Sequence, residues 1–208
     1  LSVEQKKPLN YLKGTRNKYD LIMVGYCLEE LFPETENGWR EQQKAFIKLL
    51  KHRLTDRGVV LFVGGSNGIE NKRIIQVRED AIATGNYIYA PCIWQGKCPL
   101  ENKAECYAQY EMEKNFMIQE IHRATQMRMN SLKMTYCMMM KEAPYQWPKG
   151  ACRVVMPIRE GTDGKRRCKV CGEDGKIRDM YLATEELPET SRAFEFLKRG
   201  DLITVAEA

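Results

Sequence analysis

The 208-residue chain is 43% hydrophobic and 29% charged, carries a net charge of +5 and holds eight cysteines. That length buries a real core without disulfides, and several thiols sit in apolar runs, which argues against a secreted disulfide scaffold and for a reducing compartment. No signal-peptide core and no apolar run long enough to cross a bilayer is present, so no membrane role is expected, and the chain opens at Leu1 as a mature form or a fragment would.

In chain order, Tyr19–Gly25 is a continuous apolar run with Asp20 at its entry, the pattern of a strand covered on both faces in a parallel sheet. Trp39, Gln43, Phe46, Ile47, Leu50 and Leu54 recur at helical spacing and predict an amphipathic helix over Trp39–Arg53. Asp56-Arg57-Gly58 reads as a turn and Val59–Val63 as a second buried strand. Gly64-Gly65-Ser66-Asn67-Gly68 then leads into a helix from about Asn71 to Ala83. Strand, helix, strand, helix is the rhythm of a right-handed parallel α/β sheet. The glycine loop is where a phosphate or nucleotide could sit. It matches neither GxGxxG nor a P-loop, however, and an ordinary strand-to-helix turn uses glycines too, which is the preferred reading. Glu29-Glu30 fits an acidic helix start.

Residues from Glu105 to about Met129 have helical composition, and Lys133–Met140 reads as a strand. Methionines at 127, 129, 134 and 138–140 are read as core filler. His52 and His122 lack any nearby nucleophile or matched carboxylate and receive no role. After Tyr145 prolines and glycines punctuate short β-like pieces, with strands expected at Arg153–Ile158 and Ile177–Ala183 and a short helix at Ser191–Lys198. Residues 1–145 are therefore expected to form an α/β unit that includes a cysteine loop, and 146–208 a small basic β-rich appendage.

The chemistry concentrates in the thiols. Cys92, Cys98 and Cys106 lie close together, with Pro91 and Pro99 holding the segment out of helix. Farther on, Arg-Arg-Cys-Lys-Val-Cys-Gly carries the CxxC pair Cys168 and Cys171 in what reads as a metal knuckle, with Gly172 at the turn. Cys27 and Cys137, in apolar runs, are read as free buried thiols. Structural zinc takes four tetrahedral ligands, and a 4Fe–4S cluster takes four thiolates with uneven spacing. Spacing leaves both open, zinc being the commoner. Around the CxxC, residues 149–178 hold nine Lys/Arg against four acids, enough to account for the whole net charge. This points to an anionic partner, nucleic acid first, and equally to the plain alternative of a solvated loop.

Four stretches, in order, resemble the mitochondrial small-ribosomal-subunit assembly proteins of the methyltransferase-like protein 17 family, with its yeast and bacterial relatives. They are Tyr19-Asp20-Leu21-Ile22 through Glu29-Glu30-Leu31, then Val60-Leu61-Phe62-Val63-Gly64-Gly65-Ser66-Asn67-Gly68 followed by Arg78-Glu79. Next come Ala90-Pro91-Cys92 with Cys98-Pro99 and Cys106, and finally Trp147-Pro148-Lys149, Cys171-Gly172-Glu173-Asp174-Gly175 and Arg199-Gly200-Asp201. The resemblance implies the C-terminal half of a partial Rossmann-like methyltransferase α/β sheet whose cysteines hold a 4Fe–4S cluster, bound to small-subunit rRNA among ribosomal proteins in the mitochondrial matrix. Carried over, the ligands are Cys92, Cys98, Cys106 and Cys171, with Cys168 the runner-up and Cys152 third. Arg153, Lys165, Arg166, Arg167 and Lys169 are then the phosphate contacts. The family's glycine-rich S-adenosylmethionine loop is not in this chain, and Val63-Gly64-Gly65-Ser66 stands where the family has a carboxylate. S-adenosylmethionine binding would thus need an N-terminal half supplied by another segment or chain, and no catalytic residue is assigned. The competing expectations are an active S-adenosylmethionine-dependent rRNA methyltransferase and a zinc-stapled RNA-binding module.

Overall fold

A computed structural model describes residues 8–103, 106–113, 115–126, 131–143, 146–161, 165–182 and 194–204. The elements run α1 (Pro8–Gly14), β1 (Tyr19–Gly25), α2 (Leu28–Leu31), α3 (Trp39–Arg53), β2 (Leu54–Gly64), α4 (Gly68–Ala83), β3 (Tyr87–Ala90), β4 (Ala108–Glu111), α5 (Phe116–Thr125) and β5 (Ser131–Met140). They continue with β6 (Ala151–Glu160), β7 (Arg166–Gly172), β8 (Ile177–Leu182) and β9 (Leu202–Thr204). The fold is mixed α/β, built on two sheets.

The first sheet has the order β1-β2-β5-β3, with β4 also pairing to β5. β1 and β2 are parallel, and β5 is antiparallel to β2, β3 and β4. The expected all-parallel sheet is therefore mixed. β4 pairs with the start of β5, so the chain doubles back and β5 enters the sheet reversed between β2 and β3. Asp56-Arg57-Gly58 is not a turn, because β2 runs through it and the register with β1 shifts between Tyr19 and Leu21. Gly58 is needed for a different reason: a Cβ there would meet the Tyr19 carbonyl oxygen at 2.6 Å.

Helices α3 and α4 cover one face of this sheet. Phe46, Ile47 and Leu50 of α3 and Ile74, Val77 and Ala81 of α4 pack with Val60, Phe62, Ile88, Cys137 and Met139. Two buried charges tie the helical layer together. Asp80 accepts from Gln43 at 2.9 Å and pairs with Arg40, while Arg73 donates to the Leu28 and Phe32 carbonyls and stacks over Trp39 at 4.0 Å. Among the described residues the opposite face is half open, with Leu21 53% and Met23 65% exposed, so the two-sided cover expected for β1 is not found. Met139 is core, as read, whereas Met134 is exposed; Met127 and Met129 lie outside the described residues.

The helix expected from Glu105 to Met129 is also corrected. Residues 108–111 pair with β5 as β4, and among the described residues of this stretch helix forms only over Phe116–Thr125, started by the Asn115 side chain accepting from the Ile118 amide. Glu105 lies outside the described residues.

The second sheet is antiparallel throughout, in the order β8-β7-β6-β9. Cys152, Val154, Cys168 and Val170 form its core, covered by Phe194, Leu197 and Ile203 among others. Of the short helix expected at Ser191–Lys198, residues 194–196 make one tight turn and 191–193 lie outside the described residues. Residue 183, the expected end of β8, lies outside them too.

Candidate metal centre

The site is built on one face of α4. Asn67 caps this helix by accepting from the amides of Ile69 and Glu70, and the helix's heptad-like spacing separates two surfaces. Ile74, Val77 and Ala81 enter the main core, while Asn71, Ile75, Arg78 and Glu79 turn toward the cysteine loop. Three of these polar side chains each hold a different thiol segment. The Asn71 amide donates to the Cys106 carbonyl at 2.7 Å and to the Thr135 hydroxyl at 2.7 Å. Arg78 Nε donates to Cys92 Sγ at 3.2 Å and its Nη2 to the Trp94 carbonyl at 2.6 Å. The Glu79 carboxylate accepts from the Cys98 amide at 3.0 Å. Gln95 closes the loop onto β3 by bonding both the amide and the carbonyl of Ile88.

Cys92, Cys98, Cys106 and Cys171 line a single, almost wholly apolar cavity with Arg78, Trp94, Leu100, Arg153 and Val155. Ile75, Cys98, Leu100 and Val155 form a small apolar cluster there, against which Cys106, Cys171 and Ile177 pack. The cavity thus lies between the two sheets. Burial pushes the Cys98 thiol up to about 11 and Cys171 up to about 12, each raised further by Cys92; burial also raises Cys106, reinforced by Cys92, Cys98 and Cys171. Thiols that resist ionisation by themselves become thiolates only when a cation compensates them, the linkage that metal binding exploits.

Four thiolates are a donor set that suits either structural zinc or an iron–sulfur cluster. Tetrahedral zinc needs sulfurs roughly 3.8 Å apart, from Zn–S bonds of about 2.3 Å. Among the described residues no group of three His, Cys, Asp or Glu side chains is arranged to hold a metal ion. A 4Fe–4S cluster takes four thiolates, the number that lines this cavity.

Cys168 is separated from this set by elementary strand geometry. The CxxC is not a knuckle, since both thiols lie within β7, where residues three apart point to opposite faces. Cys168 is 1% exposed in the core of the second sheet beside Cys152, and Cys171 emerges on the side of the cysteine loop. Two groups near the site had no cue in the spacing. One is Arg78. The other is Cys137, a core thiol on β5 that shares an adjoining cavity with Cys92, Cys98 and Cys106; Cys171 is the thiol that shares the main cavity with all three.

The basic residues are not one patch. The Arg153 guanidinium is half-buried and donates to the carbonyls of Pro91 and Gly200, strapping β6 to the start of the cysteine loop. On β7, Arg167 and Lys169 share the alternation face of Cys171, and Arg166, on the other face, pairs with Glu195 at 2.6 Å. Arg167 lies 5.9 Å from the ring of Tyr181. Lys165 precedes the strand and is exposed. The glycine loop at 64–68 is filled by its own helix: the Glu70 carboxylate accepts from the Gly65 amide and from the Asn67 side chain, occupying the place an anion would take.

The family model described as mitochondrial small ribosomal subunit Rsm22 matches residues 4–203. No curated protein matches the chain.

Proposed function

The chain belongs to the mitochondrial small ribosomal subunit Rsm22 family, and on that premise we propose that it binds small-subunit rRNA in the mitochondrial matrix through a fold stapled by a 4Fe–4S cluster. The observation that carries the reading is the convergence of Cys92, Cys98, Cys106 and Cys171 on one apolar cavity between the sheets. Four thiolates from two structural units convert ligand-binding energy into folding energy. When bound, the cluster supplies a fixed, compact link between those units. The chain's own residues do the rest: Asn71, Arg78 and Glu79 fix the loop from α4, and Arg153 fixes it from β6.

A joint held in this way presents β7 in a set orientation. Lys165, Arg167 and Lys169 then add salt-sensitive, sequence-independent attraction to rRNA phosphates, and Tyr181 beside Arg167 offers a ring for a base to stack on. Ribosomal proteins bound to the same rRNA are the expected neighbours.

The test is iron and acid-labile sulfide analysis of anaerobically purified protein, together with rRNA-fragment binding. The wild-type chain is expected to be brown and to bind rRNA, and Cys92→Ser to lose both properties. Colourless protein with stoichiometric zinc, or a Cys92→Ser variant with unchanged iron and RNA affinity, overturns the proposal.

A further inference from the structure

Arg78 is 3% exposed, so its guanidinium has almost no water to stabilise it. Its position is fixed by bonds to the Trp94 carbonyl and the Glu79 carboxylate, leaving Nε aimed at Cys92 Sγ at 3.2 Å. Glu79 is itself shared with the Cys98 amide at 3.0 Å. One further arginine faces the same site: Arg153 lines the cavity. Two guanidinium charges against the Glu79 carboxylate leave a net positive charge beside the thiols. Four thiolates on an oxidised 4Fe–4S core carry two negative charges, which that positive charge offsets in part.

We propose that Arg78 is the positioning and charge-compensating residue of this site, holding Cys92 by an N–H···S hydrogen bond and raising the reduction potential of the cluster it ligates. The inference rests on the cluster reading above. A buried positive charge and a donor to a ligand sulfur both stabilise the more negative, reduced state, so removing them makes reduction harder. A merely structural arginine would alter stability but would leave the potential where it was.

The experiment is a dithionite titration of the reconstituted full chain, followed by electron paramagnetic resonance, on wild type, Arg78→Lys and Arg78→Gln. The midpoint potential is expected to fall in Arg78→Gln and to lie between the two in Arg78→Lys, which keeps the charge but not the planar donor. A second measurement needs no variant: wild-type protein grown with ¹⁵N-arginine is reduced, and pulsed resonance is expected to find an arginine nitrogen coupled to the cluster. Equal potentials in all three proteins, or a wild-type cluster without that coupling, overturn the role of Arg78 while leaving the cluster in place. If Arg78→Gln does not fold, the labelled spectra of wild type and Arg78→Lys decide: the coupling is expected to disappear in Arg78→Lys, and a coupling that persists there overturns the role of Arg78, because it would come from Arg153, which lines the same cavity. A wild-type chain that takes up no iron and sulfide overturns the cluster reading and this inference with it.

Discussion

Replacing each half of the CxxC in turn separates the two sides of β7 experimentally. Cys168→Ala deletes one buried sulfur from a cluster containing Cys152, Val154 and Val170 and opens a small void there. At roughly 0.8 kcal/mol per buried methylene-sized group plus a small cavity term, the cost is about 1 kcal/mol. For a chain of this size that is a melting shift of about 2–4 °C. Iron content should not change, because the lost thiol faces away from the cavity that holds Cys92, Cys98, Cys106 and Cys171. Cys171→Ala should lose most of its iron and sulfide, and its absorbance near 400 nm, because three thiols remain where four are needed. The assays are iron and sulfide per chain and a thermal melt on the same anaerobic preparations. Should Cys168→Ala be colourless, or Cys171→Ala keep a full complement of iron, the assignment of the two faces of β7 is refuted.

Asn71→Ala should destabilise the chain by about 1–3 kcal/mol in urea titration, since it leaves the buried Thr135 hydroxyl and the half-buried Cys106 carbonyl short of a donor, and it should lower iron loading as well. Replacing Lys165, Arg167 and Lys169 with glutamine should weaken rRNA-fragment binding at every sequence tested and flatten the log–log salt dependence by about 0.7–0.9 per lost phosphate contact, as read by filter binding. Burial first, and Asp179 second, raise the Cys168 thiol from 9.0 to about 11. Because the folded value lies above the unfolded one, the stability this group contributes is full below pH 9 and is lost as pH rises through about 11. Iodoacetamide at pH 8 should therefore leave Cys168 unmodified in the native protein and label it after unfolding, as peptide mass mapping would show.

What could be read from the sequence depended on which physical rule each segment obeyed. Trp39–Arg53 was legible because its apolar spacing matches its burial; Tyr19–Gly25 was legible as a strand but not in its cover, since only one of its faces meets the core and Leu21 and Met23 are exposed. The segment after Cys106 was not. Its helix-favouring composition is overridden at Ala108–Glu111 by pairing with β5, a tertiary term that no local preference contains. The CxxC misled for a related reason: as a motif it suggests a knuckle, but inside a strand the same spacing divides the two thiols between opposite faces. Arg78 entered the reading only as part of a matched stretch, without a role, and Asn71 not at all, because a buried polar residue on a helix looks like any exposed one until its partners are known.

The late position of β5 in the chain has a consequence for how the molecule comes together. β3 pairs with β5 and with no other strand described, so the sheet has a gap between β2 and β3 until the segment Ser131–Met140 is available. The cysteine loop leaves β3 and returns through β4, which also pairs with β5. Neither end of the loop is therefore anchored in the sheet until its last strand is inserted. Such non-local closure makes folding slow relative to a chain built from neighbouring contacts. The three upstream thiols accordingly reach their places only as the sheet closes, and cysteine capture is coupled in time to completion of the fold.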